Sequence, residues 1–327
     1  MKILLPYSTL KRGALLLSVL LGLAGCSENL TPVADQNSTA KLMIVTTTTQ
    51  VTDLVDQLVG DKCSIRPMMG PGVDPHLYKP TARDIMSLST ADLIVYHGLN
   101  LEGKLGSTFK KAGLSQQKTY AIHSTVDPKF LLASDEKKGH FDPHIWFDPE
   151  IWIQCLHGLS RHLCLLLPDE ADLIEARAKK LSLQYQSIQQ FASSAFAEIP
   201  PNQRKLITSH DAFRYFGEFF GFEVIALQGI STATEAGLGD RANLVDFIKS
   251  HQVPCIFIES SVNPKAIKEV AREAKTAIGK PLFSDALGAK TDTVRGPNEE
   301  SHSLATWSGM MIYNTMAIVD GLARKKR

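Results

Sequence analysis

The chain has 327 residues, 44% of them apolar, and a formal net charge of +1. A length of this order favours two domains, each with a real core. The near-neutral balance leaves no basic excess to neutralise phosphates, which excludes nucleic acid as an expected partner.

Lys2, Lys11 and Arg12 make a positive start, followed by the apolar run "ALLLSVLLGLAG". That run is shorter than the roughly 20 residues a membrane-spanning helix needs, and it suits the core of an export signal. It ends in "LAGC", residues 23–26. These residues resemble the bacterial lipobox, where cleavage precedes a cysteine that is then lipidated. Cys26 is the expected lipidation site, 1–25 the expected signal peptide and 26–40, small and polar, a flexible tether. The alternative is a plain signal peptide followed by a chance cysteine.

The mature fold starts with "KLMIVTTTTQVTDLVDQLVG", where a β-branched run leads into an apolar-periodic segment that stops at Gly60. This predicts a strand and then a helix. "ADLIVYHG" reads as a second strand, "KTYAIH" as a third, and "PTARDIMSLST" as a helix among them. Residues 169–199 carry no internal Gly or Pro; Pro168 opens the stretch and Pro200-Pro201 close it. A helix of that length spans roughly 45 Å, enough to act as a stiff strut between two lobes. The alternative is a helix that flanks one large domain. Beyond it "RKLITSH", "FEVIAL", "PCIFIES" and "KPLFSDALG" read as strands. Among them lie helices in "DAFRYFGEFFG", "RANLVDFIKSHQ" and "NPKAIKEVAREAKTAIG", and an apolar-striped helix closes the chain. Strands that alternate with helices predict parallel βαβ units.

Of ten histidines, three stand apart. His76 and His144 each follow Asp-Pro, in "DPHLYKP" and "DPHIWFDP". Proline fixes its own φ and restricts the residue before it, so each His leaves a stiffened turn. His210 directly follows the strand "KLITS", at the carboxyl end where open α/β sheets gather ligand groups. Asp285 follows a short apolar strand in the same manner. Three imidazoles and a carboxylate suit zinc and manganese, with Asp74 and Asp142 as acceptors able to orient ring nitrogens. Each motif alone reads more readily as a turn, and spacing leaves one shared site and several separate turns open. Cys63, Cys155, Cys164 and Cys255 allow three pairings, though buried unpaired thiols are the simpler reading. No CxxC or CxxH spacing points to a zinc–thiolate site.

From about Leu42 to Ala323 the chain resembles the cluster A-I solute-binding lipoproteins of zinc and manganese ABC transporters. The resemblance rests on "GPGVDPHLYKPTARD", "ADLIVYHGLNLEGKL", "DPHIWFDP", "ITSHDAFRYFGEFFGFE", "ALQGISTATEAG", "IFIESSVNPKAI" and "LFSDALG", in that order. It implies two α/β lobes with parallel sheets, joined by a single long backbone helix, with the metal in the interlobe cleft. The implied boundaries are 41–167 for the first lobe, 168–200 for the helix and 201–327 for the second lobe. It also implies His76, His144, His210 and Asp285 as metal ligands; Asp74, Asp142 and Glu235 are the residues expected to support them from behind. Manganese or zinc is the implied cargo, with iron within the same donor set. Some manganese-specific members have Glu where this chain has His210. Zinc-specific relatives often carry a long His- and acid-rich loop before the second His, and here that region is the short "LLASDEKKGHF".

The resemblance implies a monomeric, extracytoplasmic, lipid-anchored binding protein that serves a membrane permease. Two other readings are a metal-dependent hydrolase and a surface adhesin. A hydrolase needs an open coordination position and a nearby base; Glu235 is the nearest candidate base by sequence. No adhesion surface is legible.

Overall fold

The computed structural model describes residues 41–103, 105, 118–134 and 138–323. The expected signal peptide, Cys26 and tether lie outside the described residues.

Strand β1 (Met43–Thr46) is central in a parallel sheet of order β2-β1-β3-β4, with β2 at Ser64–Pro67, β3 at Leu93–Tyr96 and β4 at Thr119–Ala121. Ile44, Val45, Ile94 and Val95 are fully buried, as a sheet covered on both faces requires. Helix α1 (Thr49–Val59) follows β1 at once. Thr48 caps it by accepting the Val51 N–H, and Gly60 ends it at a positive φ of 55°, which glycine tolerates. Helix α2 (Ala82–Thr90) opens on a capping box of Thr81 and Asp84. The β2 segment carries Pro67 and half-exposed residues, so its apolar signal was too weak to predict it.

Helix α3 (Pro149–Leu166) closes the first lobe. The long helix α4 runs from Ala171 to Ala197, after a 3₁₀ turn at Pro168–Glu170. It is no bare strut. Ile174, Ala178, Leu181, Tyr185, Ile188, Ala192 and Phe196 form a buried stripe along it, at the three-and-four spacing of one helix face. The amino-terminal half packs beside α1, where Arg177 donates to the Leu58 carbonyl at 3.0 Å. At the far end the Phe196 ring meets Phe216, Phe220 and Phe222 at 5.0–5.3 Å between centroids. One continuous apolar core therefore follows this helix from one lobe into the other.

The second lobe pairs β5 (Lys205–His210) with β6 (Glu223–Gln228), and β7 (Cys255–Ile256) with β8 (Ala277–Ile278), both in parallel. Phe257 N–H donates to the Ile207 carbonyl at 2.9 Å and ties β7 to β5. The chain thus leaves β5 toward β6 and returns to its other side with β7. Such a reversal opens a crevice at the strands' carboxyl ends. Helices α5 (Arg214–Phe220), α6 (Leu238–His251) and α7 (Lys265–Ala274) cover the sheet. The predicted strand in "KPLFSDALG" is an isolated bridge of Leu282 to Glu259, and β8 lies earlier, in the tail of the predicted helix. An unpredicted hairpin, β9 (Thr293–Arg295) with β10 (Ser301–Ser303), precedes the final helix α8 (Trp307–Leu322). Among the described residues, no helix is long and apolar enough to cross a membrane.

Candidate metal centre

His76, His144, His210 and Asp285 meet, each offering a ligand atom within 4.8 Å of the others. His76 leaves the loop after β2, His144 the loop after β4, His210 the end of β5, and Asp285 the loop after Leu282. The three imidazole centroids stand 5.4–5.9 Å apart, nearly an equilateral triangle. Asp285 lies against all three. Its Oδ2 is 3.1 Å from His210 Nε2 and 3.8 Å from His76 Nε2, and its Oδ1 is 3.4 Å from His144 Nε2. His144, His210 and Asp285 are at most 1% exposed.

At these separations the five atoms are close but not aligned as hydrogen bonds. The three Nε2 atoms and both Asp285 oxygens are buried without a hydrogen-bond partner. Buried polar atoms left so are costly, and a shared cation would satisfy all of them at once. Three borderline nitrogen donors and a hard carboxylate suit a late first-row divalent ion.

Both Asp-Pro-His stretches make the same local turn. The Asp carboxylate accepts the backbone N–H of the His two residues on, at 2.8 Å for Asp74 and 3.0 Å for Asp142. They diverge beyond the turn. Asp142 Oδ1 also accepts from His144 Nδ1 at 2.7 Å, which aims Nε2 into the site. Asp74 Oδ2 instead accepts the Thr232 hydroxyl at 2.6 Å and links the first lobe to the loop after β6. Tyr215 on α5 makes a second link, donating to the Asp142 carbonyl at 3.1 Å.

Glu235 does not stand behind any of the imidazoles. It is exposed and lines a cavity of about 840 Å³ along β6 with Asp211 and Asp240. The carboxylate behind His210 is Glu259, at 2.5 Å from Nδ1. Its other oxygen accepts the backbone N–H groups of Ser209 and His210, at 2.8 and 2.9 Å. A signal for it existed: Glu259 ends the apolar strand "PCIFIE", by the same logic that singled out Asp285. His97 was also passed over. Its Nε2 is 2.6 Å from the Pro143 carbonyl, in the middle of the second Asp-Pro-His turn. Burial lowers the His97 pKa to about 3, so the ring is neutral and Nε2–H is the donor. Glu102 fixes the chain around His97 by accepting from the Thr47 hydroxyl and the His97 and Gly98 N–H groups.

Neighbouring carboxylates and imidazoles shift one another's pKa values across the site. Burial pulls His144 down, but the Asp142 and Asp285 carboxylates override it and raise its pKa to about 9. His210 is likewise pulled down by burial and held well above the ordinary range by Asp285 and Glu259. Burial pushes Asp285 up, yet the three imidazoles, His210 first, hold it well below the usual carboxylate range. His76, with no carboxylate of its own behind the ring, is lowered by burial to about 3.

Comparison with known proteins gives one consistent answer. The family model for zinc-uptake complex component A periplasmic matches residues 44–321. The manganese-binding lipoprotein MntA of Bacillus subtilis is 35% identical over 305 residues, which is 92% of this chain and 95% of the relative. The zinc-binding protein TroA of Treponema pallidum is 37% identical over 295 residues, 89% of this chain and 92% of the relative. The solved structure of the periplasmic zinc-binding protein TroA superposes with a TM-score of 0.81 at 36% identity, covering 87% of this chain and all of that one. The manganese-bound periplasmic protein of Candidatus Liberibacter asiaticus shares the fold at a TM-score of 0.72 and 23% identity, over 86% of this chain and all of that one. The chain belongs to the family of the periplasmic zinc-uptake complex component A.

Proposed function

We propose that this protein captures one divalent first-row cation outside the cytoplasm and passes it to the membrane permease of an ABC transporter. The observation that carries this reading is the set of five buried, unpartnered ligand atoms on His76, His144, His210 and Asp285. Four protein ligands, one with both oxygens turned inward, leave a bound ion little room for a substrate. That favours carriage over hydrolysis, which needs an open coordination position. Family membership supports the transport role, and the relatives' names, a manganese-binding lipoprotein and a zinc-binding protein, support Mn²⁺ or Zn²⁺ as cargo.

Asp142 and Glu259 serve as carboxylates that orient His144 and His210. Cys26 serves as the lipid anchor of a monomer, with lobes at 41–167 and 201–327 joined by 168–200. Zinc binds such donors more tightly than manganese on the Irving–Williams order, so cargo identity follows metal supply as well as affinity. The test is metal-dependent melting. A metal at about a thousand times its Kd stabilises the fold by about 4 kcal/mol. Wild-type protein is expected to gain a large melting shift with Mn²⁺ or Zn²⁺, and Asp285→Ala to lose it. An equal shift in the variant defeats the site, and no shift in the wild type defeats the function.

A further inference from the structure

Asp285 differs from the histidines in how it is held. Its oxygens face the three imidazoles of the site, and neither makes an aligned hydrogen bond. Its position comes from the backbone on either side, and that backbone is gripped by the first turn of α1, in the opposite lobe. Leu287 N–H donates to Thr49 Oγ1 at 2.8 Å. The Thr49 hydroxyl passes its own proton on to Gln50 Oε1 at 3.1 Å. Gln50 Nε2 donates to the Ser284 carbonyl at 3.2 Å. Together they form a directional chain that starts just after Asp285 and ends just before it. Asn314 holds Phe283 by both its N–H and its carbonyl, at 3.0 and 2.7 Å, which steadies the same loop from α8. Gln50 is fully buried. A buried glutamine is uncommon unless its amide is used, and both ends of this one belong to the chain around Asp285.

We propose that Thr49 and Gln50 are positioning residues that set the Asp285 carboxylate, so that the start of α1 tunes affinity for oxygen-preferring cations. This rests on the metal-carrier reading above. Asp285 then keeps its register with the first lobe, beside His76 and His144, although it is encoded in the second. Manganese depends on hard carboxylate oxygens more than zinc does. Loosening the chain therefore weakens Mn²⁺ more than Zn²⁺, whereas general destabilisation weakens both alike.

The experiment measures Kd for Mn²⁺ and Zn²⁺ by chelator competition, the visible spectrum of the Co²⁺ form, and metal-free melting. The proteins are wild type, Thr49→Val/Gln50→Met, the milder Gln50→Met, Thr49→Ser and Thr52→Val. Thr52 sits on the same helix, but among the described residues its side chain bonds to the Thr46 hydroxyl and the Thr48 carbonyl and not to the loop of Asp285. The double variant is expected to raise the Mn²⁺ Kd by about tenfold or more, the range for losing a group that orients a ligand. Its Mn²⁺/Zn²⁺ Kd ratio rises and its Co²⁺ spectrum changes, while Thr49→Ser and Thr52→Val match wild type. Gln50→Met follows the same direction and stands in if the double variant is too unstable to purify. An unchanged Kd ratio and Co²⁺ spectrum, whatever the melting temperature, overturns the proposal. Wild-type binding with loss in Asp285→Ala separates that failure from failure of the carrier reading.

Discussion

The two Asp-Pro-His stretches are the same tripeptide in the same turn, yet they do different work. In both, the Asp accepts the His backbone N–H. Past that point Asp142 turns inward to the imidazole of its own His, while Asp74 turns outward to Thr232 in the other lobe. One carboxylate tunes an imidazole and the other joins two lobes. The electrostatics differ too: Asp142 and Asp285 override burial and raise the His144 pKa to about 9, whereas burial lowers that of His76 to about 3. A repeated motif therefore specifies a repeated backbone turn. What the side chain does next depends on which partner the fold brings within reach.

The comparison is broken most severely by removing the ligands themselves. His76→Ala and His144→Ala are both expected to lose most of the metal-induced melting shift, because each takes away one of the four proposed ligands. A full shift in either would remove that His from the site. Asp142→Ala is expected to weaken metal binding by about 10–100-fold, the usual effect of losing a carboxylate behind a ligating imidazole. Asp74→Ala should fall well short of that, and equal losses in a chelator competition would erase the distinction between the two carboxylates.

The pH dependence sharpens it further. A folded-state pKa of about 9 for His144, above the ordinary 6.5, stabilises the metal-free protein below pH 6.5, and this stabilisation is lost as pH rises through 9. The metal must displace that proton and the one on His210, so affinity rises with pH by about one to two decades per unit near neutrality. Asp142→Asn removes the charge that holds the His144 proton and is expected to flatten the slope, which isothermal titration in buffers of different ionisation heat reads as fewer protons released. The smallest effect belongs to the Asp74–Thr232 hydrogen bond between the lobes. Thr232→Val removes one hydrogen bond, net about 0.5–1.5 kcal/mol. Metal release into excess chelator should then be about two- to tenfold faster, with little change in metal-free melting.

Much of this molecule is legible in its residues. The βα alternation, the long uninterrupted helix and the choice of His76, His144, His210 and Asp285 as candidates follow from local signals: β-branched runs, Pro and Gly punctuation, and polar residues at strand ends; their joining in one site was implied by the family resemblance. The short strands were harder. β2 and β8 carry few buried apolar residues, so their pairing comes from neighbours and leaves almost no pattern behind. The long helix shows the same limit. Its length could be read directly, but its low contrast between faces hid a stripe buried against both lobes.

The supporting carboxylates mark the boundary most clearly. Glu235 and Glu259 are indistinguishable as residue types, and the first was expected behind the site, yet it is exposed while the second lies 2.5 Å from His210. By itself the sequence determined which side chains stand at the ends of strands and stiffened turns, because backbone constraints act over a few residues. Only the tertiary structure decided which of them meet, which carboxylate backs which imidazole, and that Asp285 is held by a helix more than 230 residues earlier. Those pairings depend on how sheets and helices pack across the lobes, and such contacts leave no local trace in the chain.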